Sequence, residues 1–128
     1  MRQILPLIAL CLATPPALGP ECGSLATQLD MTLCEGKKFD AADARLNAIY
    51  TRLAAKVTAA GKAKLVDAQR AWIKYRDLQC AFDTFGTNGG SINGMMIAQC
   101  KTQMTLDQTK RLDHQLNCEE GDVSCGGQ

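Results

Sequence analysis

Cysteine is the residue type in this chain whose number and spacing could most readily carry chemistry. Six cysteines follow residue 20: Cys22, Cys34, Cys80, Cys100, Cys118 and Cys125. Such a set could bind a metal, transfer electrons or form disulfides. No C-x-x-C pair occurs and His114 is the sole histidine, which disfavours zinc. An even number of cysteines in a small exported chain is typical of structural disulfides, so we expect no metal and no cofactor.

The first 19 residues predict export. Arg2 precedes a short apolar run over residues 4–13, the pattern of a secretory signal peptide. This run is shorter than the roughly 20 apolar residues that span a bilayer, and no second such run follows. Leu10 before Cys11 disfavours lipid attachment at that cysteine. The sequence therefore predicts a periplasmic or secreted protein without a transmembrane segment in its mature part.

Six cysteines allow fifteen pairings, and helix geometry gives only a preference among them. Cys80 lies near the end of one predicted helix and Cys100 near the start of the next, so an antiparallel helix pair would bring them together. Cys118 and Cys125 are close enough to close the tail on itself, which leaves Cys22 with Cys34. The alternative joins Cys22 or Cys34 to the third predicted helix or to the tail.

A polar cluster surrounds the single tryptophan. Gln69, Trp72, Arg76 and Cys80 are spaced three, four and four residues apart, so they share one face of a helix. Inward-facing polar groups are costly unless they are paired. We expect Arg76 to stack on Trp72 or to pair with a carboxylate such as Asp43, and Gln69 to hold a loop. A ligand-binding role is the alternative.

Helical patterns must position these residues, and no segment alternates as a strand would. A short first helix is predicted from residue 24 or 27 to residue 34, ended by Gly36. A second begins after Asp40 as N-cap and ends at Gly61. Two more cover residues 62–82 and 95–116. The fold class is all-α: a small disulfide-stapled bundle of three long helices plus a short N-terminal helix, over residues 20–116, with a cysteine-containing tail over 117–128.

The charge balance narrows the classes of function. The chain carries 14 basic and 13 acidic residues, and Arg2 lies in the leader, so the mature part is neutral. Neutrality removes the main argument for nucleic-acid binding. A single histidine, with neither a nucleotide-binding loop nor a metal motif, predicts no catalytic residues. We expect one monomeric or weakly associating domain that is not an enzyme.

Five sequence elements together resemble a known family. They occur in the order T-x-x-x-M-x-x-C (27–34), AD-x-x-LN-x-x-Y (42–50), AQRAWI-x-YRD-x-x-C (68–80), GGS (89–91), and Cys100 followed by Thr105 and Arg111. The combination is similar to the LprI-type lysozyme-inhibitor domain of exported bacterial proteins, over residues 22–116. The resemblance implies a small disulfide-bonded helical domain that inhibits a lysozyme-like muramidase. Cys118 and Cys125 lie beyond the matched region.

A glycine-rich loop is the candidate partner-binding segment. Residues 86–96 lie between the third and fourth predicted helices, and a Cys80–Cys100 bridge would hold their base. Its candidate binding residues are Gly89, Gly90, Ser91, Asn93 and Met95. An exposed loop would favour an inhibitor. A plain helix connection would instead favour a periplasmic structural or interaction module without inhibitor activity.

Overall fold

The computed structural model describes residues 21–127, and the predicted signal peptide lies outside this range. Three long helices follow in order: α1 (Gln28–Lys56), α2 (Ala59–Asp83) and α3 (Asn93–Leu116). Short 3-10 turns lie at Cys22–Ser24 and Phe85–Thr87, and the described residues form no strand. The predicted all-α fold class is confirmed.

The predicted helix break at Gly36 is wrong, because α1 runs through it without interruption. A glycine inside a helix costs only about 1 kcal/mol relative to alanine, and packing along the whole helix outweighs this. Asp40 is therefore an interior residue. The N-cap is Thr27, whose side chain accepts a hydrogen bond from the Asp30 backbone N–H.

The boundary predicted at Gly61 is also displaced. Helix α1 ends at Lys56, and Gly61 lies in the first turn of α2, where its N–H donates to the N-cap side chain of Thr58. A hydroxyl that caps a helix start is a stronger signal here than the glycine that follows it.

The helices run up, down and up, so α1 and α3 are parallel neighbours. At one end Gln28 Nε2 donates to Met95 Sδ at 3.6 Å, and at the other Lys56 Nζ donates to the Leu116 carbonyl oxygen at 2.8 Å. Helix α2 runs antiparallel to both, which brings Cys80 beside Cys100. The first turns of α1, the last turn of α2 and the loop before α3 therefore lie at the same end of the bundle, here called the loop end.

The apolar core lies toward the opposite end. Leu46 and Leu53 from α1 pack with Leu112 and Leu116 from α3, and all four are buried. Trp72 and Leu65 from α2 pack against this cluster while remaining partly exposed. The core is therefore mainly an α1–α3 contact that α2 covers.

Residues 21–127 contain three disulfides, Cys22–Cys34, Cys80–Cys100 and Cys118–Cys125, with Cα–Cα distances of 5.6, 5.7 and 6.0 Å. These are the pairings that the sequence favoured. The first holds the entry segment on α1, the second joins α2 to α3, and the third closes a loop within the tail.

The tail folds back onto the α1–α2 turn. The Thr58 N–H donates to the Gly127 carbonyl oxygen at 2.7 Å. Gly127 has φ +81, and a Cβ on Gly61 would lie only 2.7 Å from its Cα, so the two backbones meet where only glycine fits. None of the described helices has the length and apolarity needed to cross a membrane.

Removing the α2–α3 bridge should destabilise the fold. The combined Cys80→Ser and Cys100→Ser variant should lose about 3 kcal/mol of unfolding free energy, because without the bridge the unfolded chain has more conformational entropy. Urea denaturation followed by circular dichroism measures this. The matched Cys118→Ser and Cys125→Ser variant opens a separation of 7 residues against 20 and should lose less. An equal or larger loss from the tail pair would contradict the expectation.

Candidate functional site

Arg76 on α2 is a buried cation that contacts all three helices. Its Nη1 donates to Asp43 Oδ1 on α1 at 3.4 Å and to Thr105 Oγ1 on α3 at 3.3 Å. Its Nε donates to Asp77 Oδ1 at 3.0 Å. The side chain is 8% exposed, so its N–H groups are largely removed from water. The hydrogen bonds to these partners compensate for the lost hydration.

Two aromatic rings complete the environment of this guanidinium. The Phe39 ring centroid lies 5.1 Å from Arg76 Cζ, and the Trp72 centroid lies at 5.3 Å. Cation–π attraction grows when the cation is desolvated, as it is here. Both contacts expected of Arg76, stacking on Trp72 and pairing with Asp43, therefore occur together.

Asp77 extends the cluster to a second cation. Its Oδ1 also accepts from Lys101 Nζ on α3, at 3.2 Å. Partial burial acts to raise the pKa of Asp77, but the hydrogen bonds from Arg76 and Lys101, with their positive charges, outweigh it and hold the pKa below its ordinary value. Asp77 is therefore an ionised link between α2 and α3 at neutral pH.

The sequence suggested that Gln69 holds a loop, but in the structure it contacts another helix instead. It is buried, and its Oε1 accepts from Gln108 Nε2 on α3 at 3.0 Å. A second buried polar contact was not foreseen: Glu35 Oε1 on α1 accepts from Gln99 Nε2 on α3 at 3.3 Å and from Lys38 Nζ at 3.3 Å. The sequence did not predict that Glu35 is buried, because Glu35 belongs to the stretch interpreted as a helix end.

Every buried side-chain nitrogen and oxygen in the described part of the chain has a hydrogen-bond partner. No buried polar group of the Asp43–Gln69–Trp72–Arg76 cluster is therefore held ready for a ligand. The arrangement supports the structural interpretation of this cluster, in which side-chain hydrogen bonds set how the three helices lie against one another.

The segment predicted as a loop is an exposed loop only over residues 86–92, in which Thr87 is half-buried, and residues 93–96 form the first turn of α3. The loop is ordered by its own contacts. The Thr87 hydroxyl lies 2.9 Å from both the Thr84 carbonyl oxygen and Asn93 Oδ1. Gly89 has φ +78, a conformation that favours glycine. The Gly90 N–H donates to the Thr87 carbonyl oxygen at 3.0 Å. The loop is a compact turn above the Cys80–Cys100 bridge.

The structure divides the five candidate loop residues into two groups. Gly89, Gly90 and Ser91 are exposed. Asn93 and Met95 are half-buried, and they tie the loop to Thr87 and to Gln28 of α1. The second pair therefore supports the loop rather than projecting from it.

Several apolar residues are exposed at the loop end, and three of them lie on α1 or directly before α3. They are Leu29, Leu33 and Ile92, at 66%, 56% and 39% exposure. The i, i+4 spacing places the two leucines on one face of α1. The buried face of α1 is offset from them, as Glu35 and Ala42 show. Gly89, Gly90 and Ser91 are exposed at the same end of the bundle, and we call the six residues together the loop surface.

Two grooves flank α2 on its α3 side. One, of about 650 Å³, is lined on α2 by Leu65, Ala68, Trp72 and Tyr75. The other, of about 530 Å³, continues toward the tail and shares Leu65, Ala68 and Leu112 with the first. Both exist because α2 covers the α1–α3 pair incompletely.

Among the described residues, the side chains of His114, Cys118 and Asp122 offer metal-ligand atoms within 4.8 Å of one another. The Cys118 sulfur forms a disulfide with Cys125, so it is not a thiolate that could bind a metal. Asp122 instead accepts from the Ser124 hydroxyl and backbone N–H, and these bonds lower its pKa. His114 lies in the last turn of α3, and Cys118 and Asp122 lie in the tail that follows it.

Replacing Arg76 by lysine should be destabilising despite the conserved charge. One ammonium cannot reproduce the separate Nε and Nη1 bonds, so we expect Arg76→Lys to lose about 1–3 kcal/mol of unfolding free energy. Arg70→Lys, at an exposed position of the same helix, should change it by less than about 0.5 kcal/mol. Chemical denaturation measures both, and equal effects would exclude a special role for the Arg76 fork.

Asp77 should make stability sensitive to acid. Because its folded pKa lies below the ordinary 3.8, its contribution is fully present above that value and is lost as the pH falls through the lower folded pKa. Asp77→Asn should therefore flatten the decline of unfolding free energy below about pH 4. Asp67→Asn, at an exposed position of α2, serves as the control. An unchanged acid slope in Asp77→Asn would contradict the assignment.

Comparison with known proteins finds a family and a relative for this chain. The profile of the family described as "Lysozyme inhibitor LprI" matches residues 21–112. An uncharacterized protein of Rhizobium meliloti (strain 1021) is 33% identical over 138 aligned residues, which cover 94% of this chain and 99% of that protein. No solved structure matches the chain significantly. The match spans Arg76 and its partners, the loop and two of the three disulfides, and the chain belongs to the LprI lysozyme inhibitor family.

Proposed function

We propose that this protein is exported and that it binds and inhibits a lysozyme-like muramidase through the loop surface. Family membership supports the class of partner. The observation that carries the choice of surface is the exposure of Gly89, Gly90 and Ser91 on a loop anchored at its base by the Cys80–Cys100 disulfide. The three disulfides are consistent with an oxidising compartment.

The loop is held before any partner arrives. The bridge fixes its base, Thr87 and Asn93 brace its interior, and Met95 contacts Gln28 of α1. A segment that is already ordered loses less conformational entropy when it binds. Rigid presentation of a small protruding turn suits insertion into a preformed cleft.

The chemistry of the loop surface suits a cleft that binds sugars and contains carboxylates. Glycoside hydrolases of this kind place two carboxyl groups about the scissile bond. Ser91 offers a hydroxyl donor, and the glycines at 89 and 90 allow close backbone approach. Leu29, Leu33 and Ile92 add exposed apolar side chains at the same end of the bundle. Residues 86–96 contain no charged side chain, so we expect hydrogen bonding and shape, rather than ion pairing, to fix the contact.

The direct test is inhibition of muramidase activity by the oxidised mature protein, measured against animal-type and bacterial enzymes. Titration with near one-to-one stoichiometry would support the proposal. Absence of inhibition of every enzyme, with the disulfides intact by mass spectrometry, would reject it. The alternative, an envelope interaction module without inhibitor activity, would then become the better proposal.

A substitution in the loop should separate binding from folding. Ser91→Arg should weaken the muramidase complex by at least about tenfold, because a bulky cation would occupy the closest contact. Its melting temperature should not change, since Ser91 is exposed. Ala48→Arg adds the same charge at an exposed position of α1 and is the matched control. Equal inhibition by both variants would exclude residue 91 from the interface.

A further inference from the structure

Helix α2 packs Leu65 and Trp72 against the core but carries several other large apolar residues on its outer side. The residues that it buries are Gln69, Arg76 and Cys80. Tyr75, Leu78 and Phe82 are 56%, 61% and 77% exposed, and Phe85 in the following 3-10 turn is 72% exposed. Scattered exposed apolar residues need no explanation, but four in one place are unusual for a monomer.

Three of these residues lie on one face of α2 and Phe85 follows in the 3-10 turn, and we call the four the α2 stripe. They are spaced three, four and three residues apart, the a/d spacing of a coiled-coil seam. Ala71 and Ala68 continue the same spacing toward the helix start, and both are exposed. The extended stripe is therefore graded, with small residues in its first half and bulky residues in its second.

The grading selects a partner and an orientation. In an antiparallel pair of two α2 helices, Phe82 of one copy faces Ala71 of the other, Phe85 faces Ala68, and Tyr75 faces Leu78. Large residues then meet small ones, as efficient packing requires. A parallel pair would instead place Phe82 against Phe82 and leave a gap between the alanines.

The grooves beside α2 lie where the bulky residues of a second copy would arrive. Ala68 lines both, and Trp72 and Tyr75 line the larger one. Phe85 of the second copy, placed opposite Ala68, would enter this space. The two surfaces are thus complementary in shape as well as in spacing.

The available area is sufficient for such a pair. A buried aromatic side chain contributes roughly 150–250 Å², so the exposed fractions of the stripe leave on the order of 500 Å² per chain. Two copies would bury about 1,000 Å², the lower bound for a specific interface. Equal numbers of acidic and basic residues in the mature chain mean that no net charge repels the copies.

We propose that two copies of this protein associate through the α2 stripe, antiparallel about a two-fold axis that passes between the Tyr75–Leu78 layers. The symmetric arrangement closes on itself and stops at two chains. It places the two loop surfaces at opposite ends of the dimer, where both stay accessible. The proposal does not depend on muramidase inhibition.

Sedimentation equilibrium of the oxidised mature protein, from micromolar to millimolar concentration, tests the association. The wild type should show a monomer–dimer equilibrium, and Leu78→Lys should weaken it by at least about tenfold, because each dimer buries this position twice. Leu33→Lys, at a similarly exposed leucine on α1, is the control and should leave it unchanged. A monomeric wild type, or equal weakening by both variants, would overturn the proposal.

A charge exchange tests the orientation. Tyr75→Glu and Leu78→Lys should each dimerise poorly alone, since both homodimers lose two apolar layers. Mixing them should restore association, because the mixed antiparallel dimer places the new carboxylate beside the new ammonium and keeps one native layer. Circular dichroism confirms that both variants remain folded. Failure of the mixture to associate more strongly than either variant alone would overturn the antiparallel pairing.

Discussion

The buried guanidinium of Arg76 is the constraint on which the arrangement of the helices depends. Moving a charge out of water is expensive, and it is tolerated only where the geometry supplies partners on every side. Here those partners come from all three helices: Asp43 from α1, Asp77 from α2 itself, and Thr105 from α3. A shift of any helix along its axis would break one of these bonds. The cluster therefore fixes the register of the bundle, which an apolar contact alone would specify less sharply.

The loop surface follows from that register. Cys80 lies one turn beyond Arg76 on α2, so the contact that sets α2 against α3 also brings Cys80 to Cys100. The bridge and the buried cation thus act on neighbouring turns of the same helix pair. The loop that they support is short and braced at both ends, by Thr87 with Asn93 and by Gln28 with Met95. The exposed tip of the loop therefore depends for its position on the disulfide and on the helix bundle, and contributes little to their stability.

Much of the charge cluster could be predicted from the sequence, because a buried charged residue requires a partner. The spacing of Gln69, Trp72 and Arg76 placed them on one inward face, and the demand for a partner pointed to Asp43. The positions of the helix ends were harder to predict. The break expected at Gly36 failed because the propensity cost of one glycine is small beside the packing of a helix 29 residues long. Gln69 was expected to hold a loop because one sequence does not reveal which polar group, here Gln108, lies across an interface.

The exposed leucines and aromatics were missed for a related reason. Periodicity identifies a helix face but does not say which of two faces turns inward. In α2 the polar line of Gln69 and Arg76 is buried and the apolar line of Tyr75, Leu78 and Phe82 is exposed, the reverse of the usual amphipathic arrangement. Two requirements on one helix explain this: its inner face must complete the charge cluster, and that leaves its apolar residues outside. A helix so divided has one partner surface within its own chain and another that remains to be covered, and the graded sizes along the outer line favour a second α2 as the element that covers it.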